Sequence, residues 1–163
     1  DWSMEQKSYP VAIKLPGGPM ILDGSRVTKD FGRLNRYEVA QTGEKIAIIG
    51  LGTFFELAKE AAKLLKEEAG INATVINPYY ITGLDEALLT KLKQNHDTVI
   101  TLEDGILDGG FGEKIARFYG ASNMKVMNYG LKKEFLDRYN VDAVLKDNHL
   151  TAEQIAEDVL SIL

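Results

Sequence analysis

The feature that most limits what this chain can fold into is an alternation. Short apolar, β-branched runs recur at residues 45–50 (KIAIIG), 73–76, 98–102 and 125–128. Each is a strand candidate, and the first has no polar alternation, as expected of a strand covered on both faces. The stretches between them carry a helical period. Thr53 stands three residues before Glu56, a capping-box spacing, and Leu57, Ala58, Ala61, Leu64 and Leu65 then fall on one face. Gly70 closes that helix from the position just past its end. Further helices are expected at residues 85–94, 112–119, 133–139, 142–146 and 151–162, the last opened by a Thr151-x-x-Gln154 box. Strands alternating with helices build a parallel sheet with helices on both faces. Residues 37–40 read as one more strand, joined to residue 45 by a link too short for a crossover, so this strand should run antiparallel at an edge. The expected fold is α/β: a three-layer α/β/α sandwich with a five-stranded, mostly parallel sheet and one antiparallel edge strand.

The first part of the chain does not fit that sandwich. Residues 1–7 read as the last turns of a helix, residues 9–15 as a short strand with Pro10 at its edge, and Pro16-Gly17-Gly18-Pro19 breaks regular structure. One helix end and one strand cannot bury a core. Residues 1–35 are therefore expected to be the tail of a preceding domain plus a polar linker, and residues 36–163 the sandwich. Composition narrows the function classes. The 163 residues are 45% hydrophobic and 26% charged with a net charge of −5, which excludes a disordered chain and argues against wholesale nucleic-acid binding. With Cys 0 there are no disulfides, thiolate chemistry or Cys-ligated zinc, and a cytoplasmic location is expected. The longest apolar stretch, residues 46–55, falls short of the roughly 18 residues a membrane span requires.

Candidate chemistry is sparse. Gly50-Leu51-Gly52 sits where a dinucleotide fingerprint would lie, but Phe55 occupies the third glycine position and Asn77, not an acid, ends the second strand. A tight strand-to-helix turn is the better reading. Glu103-Asp104-Gly105 and Asp108-Gly109-Gly110-Phe111-Gly112 read as an acidic, glycine-rich loop at the carboxyl end of the third parallel strand. Its acids oppose a phosphate, and carboxylates could in principle take a divalent cation. The glycines fit close backbone approach better, so Asp104, Gly109, Gly110 and Phe111 are candidates for a subunit or domain interface. His96 and His149 lack metal-ligand spacing and read as surface residues. Tyr79 and Tyr80 are expected to pack on a neighbouring domain. No nucleophile–base pair assembles, so no catalytic or metal-ligating residue is assigned.

Several segments, in order, resemble the transketolase group of thiamine-diphosphate enzymes. Pro10-Val11-Ala12-Ile13-Lys14-Leu15-Pro16 is similar to the strand closing their pyrimidine-binding domain, and residues 44–53 to the start of their C-terminal domain. Residues 75–85 and the Glu103-Asp104-Gly105 … Gly109-Gly110-Phe111-Gly112 pattern continue the likeness. The tail (Gly130-Leu131-Lys132-Lys133-Glu134-Phe135-Leu136, Val141-Asp142, residues 150–155) resembles the 1-deoxy-D-xylulose-5-phosphate synthase branch. The resemblance implies a parent enzyme that uses thiamine diphosphate and Mg²⁺ to condense pyruvate with glyceraldehyde 3-phosphate, releasing CO₂. It places the cofactor motifs upstream of these residues. This part would then be inactive alone, bind no cofactor, and support a homodimer and the upstream domains. Lys14 matches the family's first basic position and is the candidate for the substrate phosphate, whereas the arginine after Pro, which the family would place near that phosphate, falls on Gly17 and its His-Gly on Arg138-Tyr139. The β subunit of a 2-oxo acid dehydrogenase, a transketolase, and a free-standing nucleotide-binding or interaction module are the alternatives.

Overall fold

A computed structural model of the chain describes residues 2–15 and 30–163. The chain divides into two units, Asp1–Leu34 and Asn35–Leu163. In the first, a one-turn helix α1 (Trp2–Glu5) sets Trp2 against Tyr9 and Phe31, both with ring centroids 6.4 Å away. Residues 9–15, expected as a strand, form none. A single extended segment needs a ladder partner, and the described residues of this unit supply no second strand. Pro16, Gly17 and the first part of the expected linker lie outside the described residues.

The second unit is the expected sandwich. Its elements are β1 (Glu38–Gln41), β2 (Lys45–Leu51), α2 (Phe54–Ala69), β3 (Thr74–Asn77), α3 (Glu86–Leu92), β4 (His96–Ile106), α4 (Phe111–Tyr119), β5 (Lys125–Leu131), α5 (Val141–Asp147) and α6 (Ala152–Leu160). The sheet order is β1-β3-β2-β4-β5, with β1 antiparallel at one edge and the other four strands parallel. The period of two in the strands sorts the core. Ile46 and Ile48 face α2 and α6 with Val75, Ile100, Leu65 and Ile155. Ala47 and Ile49 face α3 and α4 with Val99, Leu89, Phe111 and Ile115. Among the described residues no helix is long and apolar enough to cross a membrane.

Four local readings change. The edge strand β1 pairs with β3, not with β2 to which it is linked. The link at residues 42–44 spans about 10 Å when extended, enough to cross two strand spacings of about 4.8 Å. It passes over the start of β3, where Glu44 N–H donates to Asn72 O (3.0 Å) and Gly43 N–H to Thr74 Oγ1 (2.9 Å). The Thr53 capping box does not form: Thr53 is helical and its side chain caps nothing, while Glu56 pairs with Lys59 at 2.6 Å. The entry turn is shaped instead by Gly52, at φ +62°, whose carbonyl accepts from Phe55 N–H at 3.2 Å. Gly70 does close α2 in the left-handed region, with Ile71 N–H reaching back to Leu65 O at 3.2 Å. Residues 133–139 are not a helix: Phe135 is 98% exposed and only Leu136 of the segment is half-buried, too little cover for so short a helix. Finally, β4 does not end at Leu102. It runs to Ile106, which pairs with Leu131 of β5 after a register shift, so Glu103, Asp104 and Gly105 belong to a strand.

Candidate functional site

In an open parallel sheet, ligands bind outside the carboxyl ends of the strands where the winding reverses. Here β2 connects through α2 to β3 on one side, and the chain then returns past β2 to β4. The reversal lies between β2 and β4, whose last paired residues are Gly50–Leu102 and Leu51–Glu103. A ligand at that point would meet the Gly50–Gly52 turn, Glu103 and the start of α4.

That place is filled by the chain itself. Glu103 is 5% exposed, and its two carboxylate oxygens accept from the backbone N–H groups of Phe111 and Gly112, each at 2.8 Å. These are amides of the first turn of α4, the groups that would otherwise bind an anion. The neighbouring glycines make room for this arrangement. A Cβ on Gly110 would lie 2.5 Å from Glu103 Oε1, and one on Gly112 would lie 2.5 Å from Thr101 Oγ1, which donates to Asn128 Oδ1 at 2.8 Å. Gly50 is likewise spent on packing, since a Cβ there would meet Phe54 O at 2.5 Å and Ala58 Cβ at 2.9 Å. The Gly-x-Gly turn therefore serves the close approach of α2 to β2 rather than a pyrophosphate.

The four interface candidates separate. Asp104 is exposed within β4, in the irregular stretch between the Leu102 and Ile106 pairs, and Gly109 is exposed beyond the strand at φ +73° with its N–H donating to Glu113 Oε2 at 2.9 Å. Gly110 is half-buried beside Glu103. Phe111 is 3% exposed and packs in the chain's own core, its ring 6.3 Å from that of Tyr37. Lys14 is exposed in the first unit. Glu103, a possible cation ligand by composition, has both oxygens committed to amides. Among the described residues no group of three or more His, Asp or Glu side chains could hold a metal ion.

The histidines and tyrosines also find specific places. His96 is half-buried, with both ring nitrogens partnered. Leu92 O can only accept, so Nδ1–H donates to it (3.1 Å) and Nε2 accepts from the Thr74 hydroxyl (2.8 Å). Burial holds its pKa below the usual histidine value. His149 is exposed, held at φ +56°, with Nδ1 2.9 Å from Asp158 Oδ2. The Tyr129 hydroxyl donates to that same oxygen at 3.2 Å, and burial, then Asp158, push its pKa up. These groups adjoin a shallow cleft of about 300 Å³ lined by the end of β5, Lys132 and residues 147–149. Lys132 and Asp147 give it both charge signs, so it selects for neither. Tyr79 is half-buried at φ +56° and its hydroxyl donates to the Glu38 carboxylate of β1. Burial and that partner push its pKa up to about 12.

Two acids escaped the sequence reading. Glu103 was placed in a loop, though an acid followed seven and nine residues later by glycines was the available signal. Asp85 is 6% exposed and caps α3 through Leu88 N–H (3.2 Å), as its place before a helix suggests. It also accepts from Tyr37 N–H (3.1 Å) and Arg36 (2.9 Å), contacts 48 and 49 residues away that no local pattern reveals.

Apolar side chains line the carboxyl edge around the filled crevice. Ile81, after β3, is 54% exposed, Ile106, at the end of β4, 44%, and Phe135 and Tyr139, after β5, 98% and 55%. Such an edge is chemically suited to macromolecular contact.

Comparison with known proteins agrees with this architecture. Solved structures of transketolases share the fold: one described as a split gene transketolase, an inactive beta4 tetramer, superposes with TM-score 0.68 at 28% identity over 78% of this chain and 41% of its own. The Campylobacter jejuni transketolase shares the fold at TM-score 0.56 and 19% identity, over 78% of this chain and 18% of its own. Among curated sequences, the 1-deoxy-D-xylulose-5-phosphate synthase of Clostridium tetani is 33% identical over 100% of this chain and 26% of its own length. That of Symbiobacterium thermophilum is 37% identical over 94% of this chain and 24% of its own. The chain thus spans about a quarter of the length of these relatives. The model of the transketolase C-terminal domain matches residues 35–155, from the Asn35 that opens the second unit into α6, and the chain belongs to that family.

Proposed function

We propose that this chain is the C-terminal domain of a 1-deoxy-D-xylulose-5-phosphate synthase, an enzyme that joins pyruvate to glyceraldehyde 3-phosphate with loss of CO₂. The observation that carries the reading is the likeness to synthases of this name along the whole chain, at 33% identity in one case. Thiamine diphosphate with Mg²⁺ would supply the carbanion-stabilising chemistry of such an enzyme. The residues described here do not fit the diphosphate: the α4 amides that could receive it already hold Glu103, whose charge would repel it. In this reading the domain contributes no catalytic group. It braces the upstream domains and a homodimer in the cytoplasm, using the carboxyl edge with Asp104 and Gly109. The solved relative described as a beta4 tetramer supports assembly from copies of one subunit.

Lys14 is assigned to the acceptor's phosphate. A lysine gives that group a point charge rather than the bidentate fork of an arginine. The test is CO₂ release from labelled pyruvate by the full-length gene product. It should require glyceraldehyde 3-phosphate, thiamine diphosphate and Mg²⁺ together. Lys14→Ala should raise KM for glyceraldehyde 3-phosphate and leave that for pyruvate unchanged. Transfer from a ketose donor, or acyl transfer to a lipoyl group, would refute the synthase reading. Gly17 and Arg138-Tyr139, where the branch's usual residues are replaced, favour those as the second reading.

A further inference from the structure

The chain carries the pairs Asp104-Gly105 and Asp108-Gly109, besides Asp23-Gly24, which lies outside the described residues. An aspartate followed by glycine can react with its own backbone. No side chain shields the glycine nitrogen, and it reaches the aspartate's side-chain carbonyl carbon once the peptide between them rotates. The two described pairs have the same chemistry, so their surroundings decide which of them reacts.

Those surroundings differ. Asp104-Gly105 lies inside β4, between the ladder pairs Leu102–Tyr129 and Ile106–Leu131. Leu107 N–H then donates to Leu131 O at 3.0 Å, and Gly105 O stands so near Gly130 that a Cβ there would lie 2.9 Å from it. Turning the Gly105 nitrogen onto Asp104 would pull this packing and the flanking ladder apart. Asp108-Gly109 forms the centre of a β-turn instead. Gly110 N–H donates to Leu107 O at 2.9 Å, and Gly109 at φ +73° has the conformation of the third residue of a type II turn. Both residues are exposed, and a Cβ on Gly109 would meet nothing within 4 Å. Their peptide therefore rotates into open space, opposed only by local bonds of the turn. One of these, from Gly109 N–H to the exposed carboxylate of Glu113 at 2.9 Å, sets a proton acceptor beside the nitrogen that must shed a proton.

We infer that Asp108 is a site of spontaneous isoaspartate formation, from which the strand protects Asp104. The Gly109 nitrogen bonds to Asp108 Cγ, the Cγ–OH bond breaks, and the amide proton leaves with that hydroxyl as water. The succinimide so formed takes water back. Opening at the side-chain carbonyl restores aspartate. Opening at the main-chain carbonyl routes the backbone through the side chain and frees the α-carboxylate, with no change of mass or oxidation state. The main chain is then one carbon longer just before Phe111, whose N–H Glu103 holds, so the modification loosens the first turn of α4. The freed α-carboxylate is the group that a carboxyl-methylating repair enzyme takes as its substrate. None of this rests on the synthase reading.

The test ages the whole 163-residue chain for weeks at mildly acidic pH, folded and, in parallel, unfolded in guanidinium chloride. Trypsin releases residues 94–114, which carry both pairs. Isoaspartate in that peptide is counted with an isoaspartyl methyltransferase and a labelled methyl donor, and electron-transfer fragmentation assigns it to residue 104 or 108. Unfolded, the two pairs should react at similar rates. Folded, Asp108 should outpace Asp104 by about tenfold or more, the factor set by a difference of about 1.4 kcal/mol in local opening. Asp108→Glu, which would need a six-membered ring, should remove the label from the peptide of the folded chain and leave its far-ultraviolet spectrum unchanged. A ratio of rates no larger in the folded chain than in the unfolded one overturns the inference, and so does label in this peptide that survives Asp108→Glu.

Discussion

Removal of the Glu103 carboxylate offers the sharpest test of how the carboxyl edge is built. The side chain is 5% exposed and holds two amide N–H groups at 2.8 Å each. Glu103→Ala leaves both donors without a partner in a space too enclosed for full hydration. An unmade buried hydrogen bond costs about 1–3 kcal/mol, so with some water entering the space the loss should be about 3 kcal/mol. With a slope of about 1.5–2 kcal/mol per molar urea, the unfolding midpoint should fall by about 1.5–2 M. Glu103→Gln keeps one acceptor but turns an amide NH₂ toward the other N–H, and should lose a smaller amount. The geometry also predicts a coupling. In the wild type, Gly110→Ala drives a Cβ to 2.5 Å from Glu103 Oε1. In the Glu103→Ala background that atom is gone, so the second substitution should cost less by at least about 1 kcal/mol, as contacting residues couple in a double-mutant cycle. A loss below about 1 kcal/mol for Glu103→Ala, or a cycle that is additive, would refute the view that the carboxylate organises α4.

The remaining predictions concern pH and backbone. Burial depresses the His96 pKa, so the folded state resists protonation; its contribution to stability is complete above about pH 6.5 and is lost as pH falls below that value. His96→Gln should therefore narrow the difference between urea midpoints at pH 7.5 and 5.5, and an equal difference in both proteins would contradict the buried tie. Tyr79 has the opposite sign: its folded pKa is raised to about 12, so its contribution is complete below about pH 10 and is lost as pH rises toward 12. Melting temperatures of Tyr79→Phe and wild type should converge over that range; a constant gap would show that the bond to Glu38 is not the cause. Gly50→Ala should cost about 1–3 kcal/mol through overpacking on α2, whereas Gly52→Ala, with open space but φ +62°, should cost about 1–2 kcal/mol from backbone strain alone. Urea titration of the two variants checks this, and a Gly50→Ala cost below about 1 kcal/mol would contradict the close approach of α2 to β2.

How much was legible in the sequence follows from what kind of interaction shapes each element. The runs at β2 and β3 announced themselves because burial on both faces demands apolar, β-branched residues without alternation. The far half of β4 did not. Glu103-Asp104-Gly105 has turn composition, and its strand geometry is imposed by Ile106 pairing with Leu131. Chain proximity pointed β1 at β2, whereas the Gly43 and Glu44 contacts with Asn72 and Thr74 carry it to β3. At Thr53 the spacing suggested a capping box, but the turn was already shaped by Gly52. The helical period of residues 133–139 was real and insufficient, since a helix of that length forms only against a surface. The same rule that made α2 legible made this segment misleading.

The candidate site divides in the same way. The glycine-rich pattern at residues 109–112 pointed to close approach, but what approaches is Glu103 and the Thr101–Asn128 pair. A doubly wound sheet ordinarily leaves its switch point open so that a helix N-terminus can meet a ligand. A free anion at that place would stabilise the edge only in proportion to its concentration relative to its dissociation constant. A carboxylate tethered eight and nine residues from the amides it holds is present at every concentration. The α4 start is therefore organised whatever small molecules surround the protein. A pocket gains nothing from that independence, because its function is to respond to a ligand. A docking face does gain, because ordering it at the moment of association would subtract from affinity. Filling the crevice with Glu103 thus closes the switch point to a small anion and fixes the start of α4 in advance, beside an edge on which Ile106 stands 44% exposed.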